Sequence, residues 1–424
     1  MRVAVVGLGH IGLALAVQYA SRGHTVIGCD TDPSVVETLN AGRAPHQDEP
    51  EVVEQVPPLV AGGLLSATTD DTEGVRGVEA VVVIVPVAVD EQGEVDLAAI
   101  DAATDEIGRG IGPGTLVIFE TTLPVGTTRE RLVPLLERVS GMTAERDFFV
   151  AFSPERVLVG RVLLDLRRYP KVVAGIGPAS TERAMHFYAE ALDEGTEIRA
   201  LSSAEAAEMT KLAETTYRDV NIALANEYAR YAARRGIDIG EVIDAANSQP
   251  YSHIHQPGVG VGGHCIPVYP RFLANGEPDL RLPPLAREVN DGMASWTVDQ
   301  VAERVGTLRD VPVLVLGIAY RGDVREDAFS SAFALRDALR AAGARVLGHD
   351  PYYDASHLEA RGFEPWDAAH PSPVRIAILQ AAHAEYRQLD PSAIPGLELL
   401  VDGRNVLDPA AVIAAGIGYL GIGR

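Results

Sequence analysis

Short apolar runs recur along the first part of the chain, and glycine, proline or polar residues bound each of them. A helical pattern at 11–21, rich in alanine and leucine, separates the first two runs, so the chain begins as a βαβ unit. The run lengths are typical of buried parallel strands. This alternation predicts a doubly wound sheet over roughly the first 195 residues. The predicted strands are residues 3–6, 25–29, 81–85, 116–120 and 148–152.

The pattern changes at residue 202, where a helical stretch without proline or glycine begins and continues to Arg235. Gly236 follows it as a candidate C-cap. Beyond a helical segment near 285–305, an apolar run at 311–317 opens a second βαβ pattern. We therefore predict an α/β protein with two Rossmann-like doubly wound domains joined by a long central helix. The expected parts are residues 1–197, 198–305 and 306–424.

Charge and cysteine content narrow the functional classes. The 36 Lys and Arg residues against 59 Asp and Glu residues give a net charge of −23, which disfavours binding to nucleic acid or anionic membranes, and we expect neither partner. The sequence shows no secretion-signal pattern and no uncharged apolar run of about 18 residues. Its two cysteines do not resemble a disulfide framework, so we expect a cytoplasmic protein. No Cys/His cluster has zinc spacing, and we expect no metal.

A glycine-rich turn of the form GxGxxG lies between the first predicted strand and the first predicted helix. Such a turn lets the backbone approach a pyrophosphate at the helix N-terminus, although the glycines alone indicate only a tight turn. Asp30 ends the next strand, where a carboxylate accepts ribose hydroxyls and repels a 2′-phosphate, which favours NAD over NADP. The candidate cofactor contacts are Gly7, Gly9, His10, Ile11, Gly12, Asp30, Val85, Pro86 and Thr122.

Cys265 lies in a second glycine-rich segment, residues 257–267, with the sequence PGVGVGGHCIP. The glycines allow the backbone to close around a ligand, and a thiolate in such a loop is a candidate nucleophile toward an aldehyde or acyl carbon. Taken in isolation, a single cysteine is more often a small buried apolar residue.

The cysteine loop and several other segments together resemble the UDP-glucose/GDP-mannose dehydrogenase family, especially the branch that oxidises UDP-N-acetylhexosamines of the UDP-N-acetylmannosamine type. The resemblance covers nearly the whole chain, and the motifs occur in the family's order. Besides the two glycine-rich turns, the segments are ETTLPVGT at 120–127, FSPERVL at 152–158, KLAE at 211–214, YRDVNI at 217–222, NE at 226–227, REVND at 287–291 and DGRN at 402–405.

The resemblance implies a four-electron oxidation of a sugar C6 alcohol to a carboxylate with two NAD⁺ in succession. Cys265 would trap the aldehyde as a thiohemiacetal and then carry the acyl group as a thioester. Lys211 would stabilise the oxyanions, Glu155 would help to activate water, and Thr122 would position that water. Each residue also has an alternative interpretation. Lys211 could be a solvated helix lysine, Glu155 could form a surface ion pair with Arg156 or a lysine, and Thr122 could simply organise a turn.

The family also implies the roles of the three parts of the chain. The first would bind NAD, the central helix would form a homodimer, and the last would bind the nucleotide sugar in polysaccharide or secondary-metabolite biosynthesis. The candidate substrate contacts are Arg156, Thr215, Tyr251, His253, Gly262, Gly263, Tyr320 and Arg321. Tyr251 and His253 are equally compatible with packed aromatic side chains at a domain junction.

Four positions depart from the family pattern. Thr215 replaces an asparagine, and Tyr269 replaces an aspartate near the cysteine. Arg321 replaces a lysine as a candidate anion contact, and Ala328 replaces an arginine that grips the substrate. Arg325 is a candidate to compensate for the lost guanidinium. These changes leave two alternatives open: the same chemistry on an atypical nucleoside or secondary-metabolite sugar, and a catalytically weak NAD-binding homologue.

Overall fold

The computed structural model describes residues 1–90 and 94–424. The chain divides into two compact units, Met1–Glu214 and Thr215–Arg424. The boundary falls within one helix, and the three-part division at residues 197 and 305 stays a prediction. No helix in the described part of the chain is long and apolar enough to cross a membrane.

The first unit alternates strands with helices, as its apolar pattern predicts. Its strands are β1 (Arg2–Val6), β2 (Thr25–Cys29), β3 (Leu65–Thr68), β4 (Ala80–Val83), β5 (Ala88–Val89), β6 (Val95–Asp96), β7 (Leu116–Phe119), β8 (Phe149–Phe152), β9 (Lys171–Gly175) and β10 (Ile198–Ala200). Its helices are α1 (His10–Ser21), α2 (Pro33–Asn40), α3 (Pro50–Ala61), α4 (Asp71–Gly74), α5 (Ala98–Gly110), α6 (Val133–Ser140), α7 (Val162–Arg168), α8 (Pro178–Ala191) and the start of α9 (Ala204–Ala233).

Eight of these strands form one sheet in the order β10-β9-β8-β7-β4-β1-β2-β3. All neighbours are parallel except β8 and β9, which are antiparallel. Strands β1, β4, β7 and β8 are apolar and almost entirely buried, since helices cover both faces of the sheet. The strands β5 and β6 form a separate two-stranded ribbon.

The second unit contains the rest of α9 and a second α/β sheet. Its helices are α10 (Ile239–Asn247), α11 (Tyr269–Ala274), α12 (Leu282–Asp291), α13 (Met293–Val305), α14 (Ser331–Ala341), α15 (Ala355–Ala360), α16 (Ala384–Arg387) and α17 (Pro409–Ala414). Its strands are β11 (Pro312–Leu316), β12 (Arg345–His349), β13 (Glu364–Pro365), β14 (Ile376–Leu379), β15 (Leu399–Asp402) and β16 (Gly418–Gly421).

The six strands of the second unit are all parallel, in the order β13-β12-β11-β14-β15-β16. Helices α13 and α14 pack on one face through buried aliphatic side chains. The strand order changes direction between β11 and β14, as it does between β1 and β4 in the first unit. The prediction of two Rossmann-like sheets with a long helix between them in the chain is confirmed.

Candidate functional site

The candidate cofactor residues follow neighbouring strands of the first sheet. The glycine-rich turn follows β1, Asp30 follows β2, Val85 follows β4 and Thr122 follows β7. Because the carboxyl ends of parallel strands meet at one edge, the fold collects these residues around the point between β1 and β4 where the strand order reverses. That point is where open α/β sheets bind their ligands.

The glycine-rich turn is shaped by close backbone packing. Gly7 has a φ of +95°, and a Cβ there would lie 2.8 Å from the carbonyl oxygen of Ile84. A Cβ on Gly12 would overlap the carbonyl oxygen of Gly7. Gly9 differs, because a Cβ there would meet nothing within 4 Å in the described part of the chain. Two glycines therefore allow the turn to fold, whereas Gly9 leaves open space beside it.

Helix α1 begins at His10 with Gly9 as its N-cap, and no side chain among the described residues caps its first N–H groups. Those donors and the positive end of the helix dipole suit a pyrophosphate. His10 makes an ion-pair contact of 2.9 Å with Asp48 and stacks on His46, while Ile11 packs against the sheet's core. The chain here fits the phosphates of a dinucleotide.

Asp30 supports the same turn. One of its carboxylate oxygens accepts a hydrogen bond of 2.8 Å from the Leu8 N–H, and the other accepts one of 2.9 Å from Asp32. The residue is half-buried, so the carboxylate remains accessible to ribose hydroxyls. Its position fits the adenosine ribose of NAD.

The candidate contacts after β4 and β7 are joined by a hydrogen bond between their segments. The Thr121 hydroxyl donates to the Val85 carbonyl oxygen at 2.7 Å. Thr122 is buried beside it, Val85 is half-buried, and Pro86 after it is exposed. The structure therefore brings Val85 and Thr122 into one segment of the sheet edge.

Glu155 and Lys211, candidates from distant parts of the sequence, come together in the first unit. The Lys211 ammonium donates a hydrogen bond of 2.6 Å to the backbone carbonyl of Glu155. Arg156, a candidate substrate contact, instead pairs with Glu214 at 2.8 Å and donates to the Pro170 carbonyl. Arg156 therefore braces the segment after β8 against α9 in this structure.

The Glu155 carboxylate forms an ion pair with Lys171, a residue that the sequence analysis did not single out. The Lys171 ammonium lies 2.8 Å from a carboxylate oxygen of Glu155 and 2.8 Å from one of Glu120. Lys171 begins β9, which is antiparallel to β8, so it reaches the carboxyl edge of the sheet. The alternative of a surface ion pair for Glu155 is wrong, because its pair with a lysine is buried. The sequence did hold one indication of this buried pair, a single lysine at the start of an otherwise apolar strand.

Burial raises the pKa of Glu120 to about 7; Lys171 opposes this rise and Glu155 adds to it. Burial also acts to raise the pKa of Glu155, but the Lys171 ammonium outweighs it, and the net pKa is lowered. Two neighbouring carboxyls with pKa values displaced in opposite directions are typical of acid–base sites.

The cysteine loop belongs to the second unit and is packed on the segment after β11. A Cβ on Gly262 would lie 2.8 Å from the Phe329 carbonyl, and one on Gly263 would lie 2.9 Å from the Tyr320 ring. Gly263 also has a φ of +92°. The half-buried Cys265 follows, and its carbonyl accepts the Tyr269 N–H at 2.9 Å as α11 begins.

Buried and half-buried polar side chains hold both ends of this loop. The Arg404 guanidinium donates to the Gly260 carbonyl at 3.0 Å, and Asn226 accepts the Gly258 N–H at 2.9 Å. Arg287, paired with Asp219 at 3.0 Å, also contacts the Ile266 carbonyl at 3.5 Å. The motifs DGRN, NE and REVND thus act partly as anchors of the cysteine loop, a role that sequence reasoning missed.

The remaining candidate substrate contacts are dispersed over the second unit. Tyr320 packs on the cysteine loop, and Arg321 donates to its hydroxyl at 3.1 Å. Thr215 is buried in α9. Tyr251 is 93% exposed, so it is not a packed aromatic side chain, whereas the His253 backbone carbonyl accepts a hydrogen bond from Asn221.

The residues that depart from the family pattern near the cysteine loop make defined contacts. The Ala328 carbonyl accepts the Gly263 N–H at 3.0 Å, so the backbone at this position contributes to the cysteine loop. The exposed Phe329 next to it has a φ of +50° and lies edge-on to His264. Tyr269 packs edge-on against Phe272. Compensation for the lost guanidinium by Arg325 stays a prediction.

Comparisons with known protein families cover all three parts of the chain. Residues 1–192 match the NAD binding domain of the UDP-glucose/GDP-mannose dehydrogenase family. Residues 205–291 match its central domain, and residues 314–409 match its UDP binding domain.

Individual relatives are similar over almost their full lengths. The chain is 34% identical to a UDP-N-acetyl-D-mannosamine dehydrogenase of Pyrococcus horikoshii, over 100% of this chain and 99% of the relative. It is 33% identical to an NDP-N-acetyl-D-galactosaminuronic acid dehydrogenase of Ralstonia solanacearum, over 95% and 96%.

Solved structures give the same result. The UDP-N-acetyl-D-mannosamine dehydrogenase of Pyrococcus horikoshii superposes with a TM-score of 0.89 at 32% identity, covering 100% of this chain and 99% of that one. A UDP-glucose dehydrogenase of Pyrobaculum islandicum gives 0.87 at 28% identity, covering 100% and 97%. The glycine-rich turn, Asp30 and the matched NAD binding domain agree on NAD as the cofactor. The chain therefore belongs to the UDP-glucose/GDP-mannose dehydrogenase family of NAD-dependent oxidoreductases.

Proposed function

We propose that this protein oxidises the C6 alcohol of a UDP-N-acetylhexosamine to the uronic acid through a covalent intermediate on Cys265. The observation that carries the proposal is the buried contact of Lys211 with the Glu155 segment, beside the strand ends that fit NAD. A cation close to a carboxylate supports an oxidation that is followed by a hydrolysis. The full-length similarity to a UDP-N-acetyl-D-mannosamine dehydrogenase supports the substrate class.

NAD, when bound, would accept one hydride from the sugar carbon in each of the two oxidations, and the hydroxyl proton lost in each passes to solvent. The Cys265 thiolate adds to the aldehyde carbon between them, so that the second oxidation leaves a thioester. Water then adds to the acyl carbon, and the C–S bond breaks with its electron pair on the sulfur. The ammonium of Lys211 stabilises the oxyanions, Glu155 accepts a proton from the water, and Thr122 positions that water.

The stoichiometry of the reaction tests the cysteine. The wild-type protein is expected to form two NADH for each nucleotide sugar consumed, and Cys265→Ser is expected to stop short of the uronic acid. Cys29→Ala is the matched control, because Cys29 is fully buried in β2 and burial raises its pKa far above the ordinary value. Absence of turnover on every nucleotide sugar tried would contradict the proposal, as would two NADH formed by Cys265→Ser.

One observation favours a second candidate substrate, a sugar that lacks the usual diphosphate. Ala328 supplies only a backbone carbonyl where the family has a guanidinium, the group best suited to bidentate phosphate binding. Competition by free UDP separates the two substrates. Inhibition supports a UDP-sugar, whereas turnover that UDP leaves unchanged supports the atypical sugar.

We also propose a homodimer formed through the central helix. An open groove of about 610 Å³ lies along the second unit's part of α9, lined by Tyr217, Val220, Leu224, Leu280 and Leu282 among others. Further exposed apolar side chains extend this face, namely Tyr228, Tyr231 and Leu285. Contiguous apolar surface of this kind is typical of an interface between subunits.

The dimer is tested by light scattering on a sizing column. Leu282→Glu places a charge in the groove and is expected to give monomers at concentrations where the wild type is dimeric. Ile413→Glu is the control, since Ile413 is similarly exposed but lies on α17. A monomeric wild-type protein, or a Leu282→Glu protein that remains dimeric, would contradict the interface.

A further inference from the structure

Glu120, Lys171 and Glu155 form a buried group of charges at the carboxyl edge of the first sheet. Glu120 follows β7, Glu155 follows β8, and Lys171 begins β9, so each comes from a different strand. Their side chains are 0%, 10% and 5% exposed for Glu120, Glu155 and Lys171 respectively. The Lys171 ammonium lies 2.8 Å from each carboxylate.

The charges of this group do not balance without a proton. Two carboxylates and one ammonium leave one net negative charge in a buried place, where an uncompensated charge is costly. With one proton added, the group is neutral.

Side chains from three different elements contact the Glu120 carboxyl. The Tyr188 hydroxyl, from α8, donates to one of its oxygens at 2.6 Å, and the Tyr19 hydroxyl, from α1, lies 3.4 Å from the same oxygen. Lys171 donates to the other oxygen. Both tyrosines have pKa values raised well above the ordinary value, chiefly by burial, and so remain neutral donors.

Glu155 has different neighbours and connects this group to the proposed chemistry. One of its oxygens accepts the Arg156 N–H at 2.7 Å and the other accepts from Lys171. Its backbone carbonyl accepts from Lys211. The Lys171 ammonium, which donates to both carboxylates, therefore links Glu155 to Glu120.

We propose that Glu120 and Lys171 are positioning residues that share one proton with Glu155, so that the three side chains act as a single buried acid–base unit during thioester hydrolysis. Lys171 keeps Glu155 ionised while Glu120 holds the proton. When water adds to the acyl carbon, its proton moves to Glu155, and the Cys265 sulfur leaves with the electrons of the broken C–S bond. The unit then returns one proton to solvent. The hydrolytic role rests on the proposed function; the shared proton does not.

Infrared titration detects the shared proton without any turnover. Just below the pKa of about 7, the wild-type protein is expected to show a protonated carboxyl band. Glu120→Gln and Glu155→Gln should each abolish it, because one carboxylate beside Lys171 is already neutralised. Asp71→Asn is the control, since burial also raises the pKa of Asp71, to about 6, outside this group. Persistence of the band in Glu155→Gln would show that no proton is shared.

The hydrolytic role is tested by following the decay of the Cys265 adduct with rapid-quench mass spectrometry across pH. In the wild type, decay should slow as pH rises through about 7, because Glu120 then loses the shared proton. Glu120→Gln stays neutral, so it should lack that limb while still forming the adduct. Lys171→Met removes the cation that keeps Glu155 ionised, so the part of the decay profile that depends on ionised Glu155 should move to higher pH by about one unit or more. Lys171→Arg should restore most of the wild-type profile.

The outcomes separate this inference from the proposed function. A profile unchanged in both Glu120→Gln and Lys171→Met would overturn the hydrolytic role, even with two NADH formed per sugar. Failure of the wild type to form any adduct would instead overturn the proposed function, and the infrared result would then decide the shared proton alone. Asp71→Asn should keep the wild-type profile, and loss of the limb in this control would contradict the assignment to Glu120.

Discussion

The two sheets open with nearly the same glycine turn. Gly7 has a φ of +95° and donates to the Cys29 carbonyl at 2.8 Å; Gly317 has a φ of +88° and donates to the His349 carbonyl at 2.8 Å. The next residue in each turn donates to an aspartate, Asp30 in the first unit at 2.8 Å and Asp350 in the second at 2.7 Å. The glycine and aspartate thus form a folding element common to both units.

The two turns lead into different structures. Helix α1 begins at His10, directly after the first turn, whereas α14 begins only at Ser331. Asp30 remains accessible, but Asp350 is buried and accepts a further hydrogen bond of 3.1 Å from His383. A glycine turn ending at an aspartate therefore does not by itself specify a dinucleotide site. The short path to a helix and the open carboxylate distinguish the turn that fits NAD.

The largest expected effect comes from Gly12→Ala. Its Cβ would overlap the Gly7 carbonyl, so the substitution should lower the stability of the first unit by about 3 kcal/mol and NAD affinity about a hundredfold. Gly9→Ala is the matched variant, because its Cβ meets nothing within 4 Å among the described residues; it should weaken NAD binding at nearly wild-type stability. Denaturant unfolding and NAD titration measure both. Equal stability losses in the two variants would show that the turn is not built on Gly12.

Asp350→Asn should destabilise the second unit by about 2 kcal/mol without changing NAD affinity. Burial acts to raise the pKa of Asp350, but hydrogen bonds from His383 and backbone N–H groups outweigh it, and the pKa is lowered. The carboxylate therefore stabilises the fold above its ordinary pKa, and this contribution is lost as pH falls through the lowered value. Unfolding curves from neutral to acidic pH should converge for wild type and variant. A change in NAD affinity would contradict the division of roles.

Asp30→Asn is the equivalent change in the first unit and should mainly weaken cofactor binding. Loss of a charged acceptor for ribose hydroxyls should raise the KM for NAD about tenfold, while the amide oxygen can still accept the Leu8 N–H. Kinetics with NAD and NADP measure the effect, and discrimination against NADP should weaken. An unaltered KM for NAD would mean that the open carboxylate is not the feature that distinguishes the two turns.

The smallest effect is a pH dependence confined to the first unit. Because the pKa of Glu120 is raised to about 7, its protonated form stabilises the fold below the ordinary carboxyl pKa, and this contribution is lost as pH rises through the raised value. Wild type and Glu120→Gln should therefore differ in the slope of unfolding free energy against pH between the ordinary carboxyl pKa and about 7, by at most about 1.4 kcal/mol per pH unit. Parallel curves would rule out a raised pKa for Glu120.

The sequence predicted most elements because their apolar patterns are local. The central helix, expected at 202–235, spans Ala204–Ala233, and the second βαβ unit begins within one residue of its expected start. The helical segment near 285–305 proved to be two helices, α12 and α13, which meet at Gly292. A pattern of apolar spacing continues through such a junction, so it could not show the break.

The candidate site was predictable where chemistry lies in contiguous motifs, as in the glycine turns and around Cys265. Pairings between distant residues were not. Lys171 lies 51 residues from Glu120 and 16 from Glu155, and only the antiparallel course of β9 brings its side chain to them. The loop anchors Arg287 and Arg404 were likewise visible as family motifs, but the carbonyl groups that they bind depend on the folded loop.

The anchoring of the cysteine loop also has a consequence for protein synthesis. Arg404 holds the Gly260 carbonyl, and Val259 donates to the Gly403 carbonyl at 3.1 Å. A ribosome makes residue 404 long after it has made Cys265, so a nascent chain carries the thiol without the contacts that fix its loop. Cys265 therefore acquires its final geometry only late in translation, after the strands of the NAD binding domain have all been made.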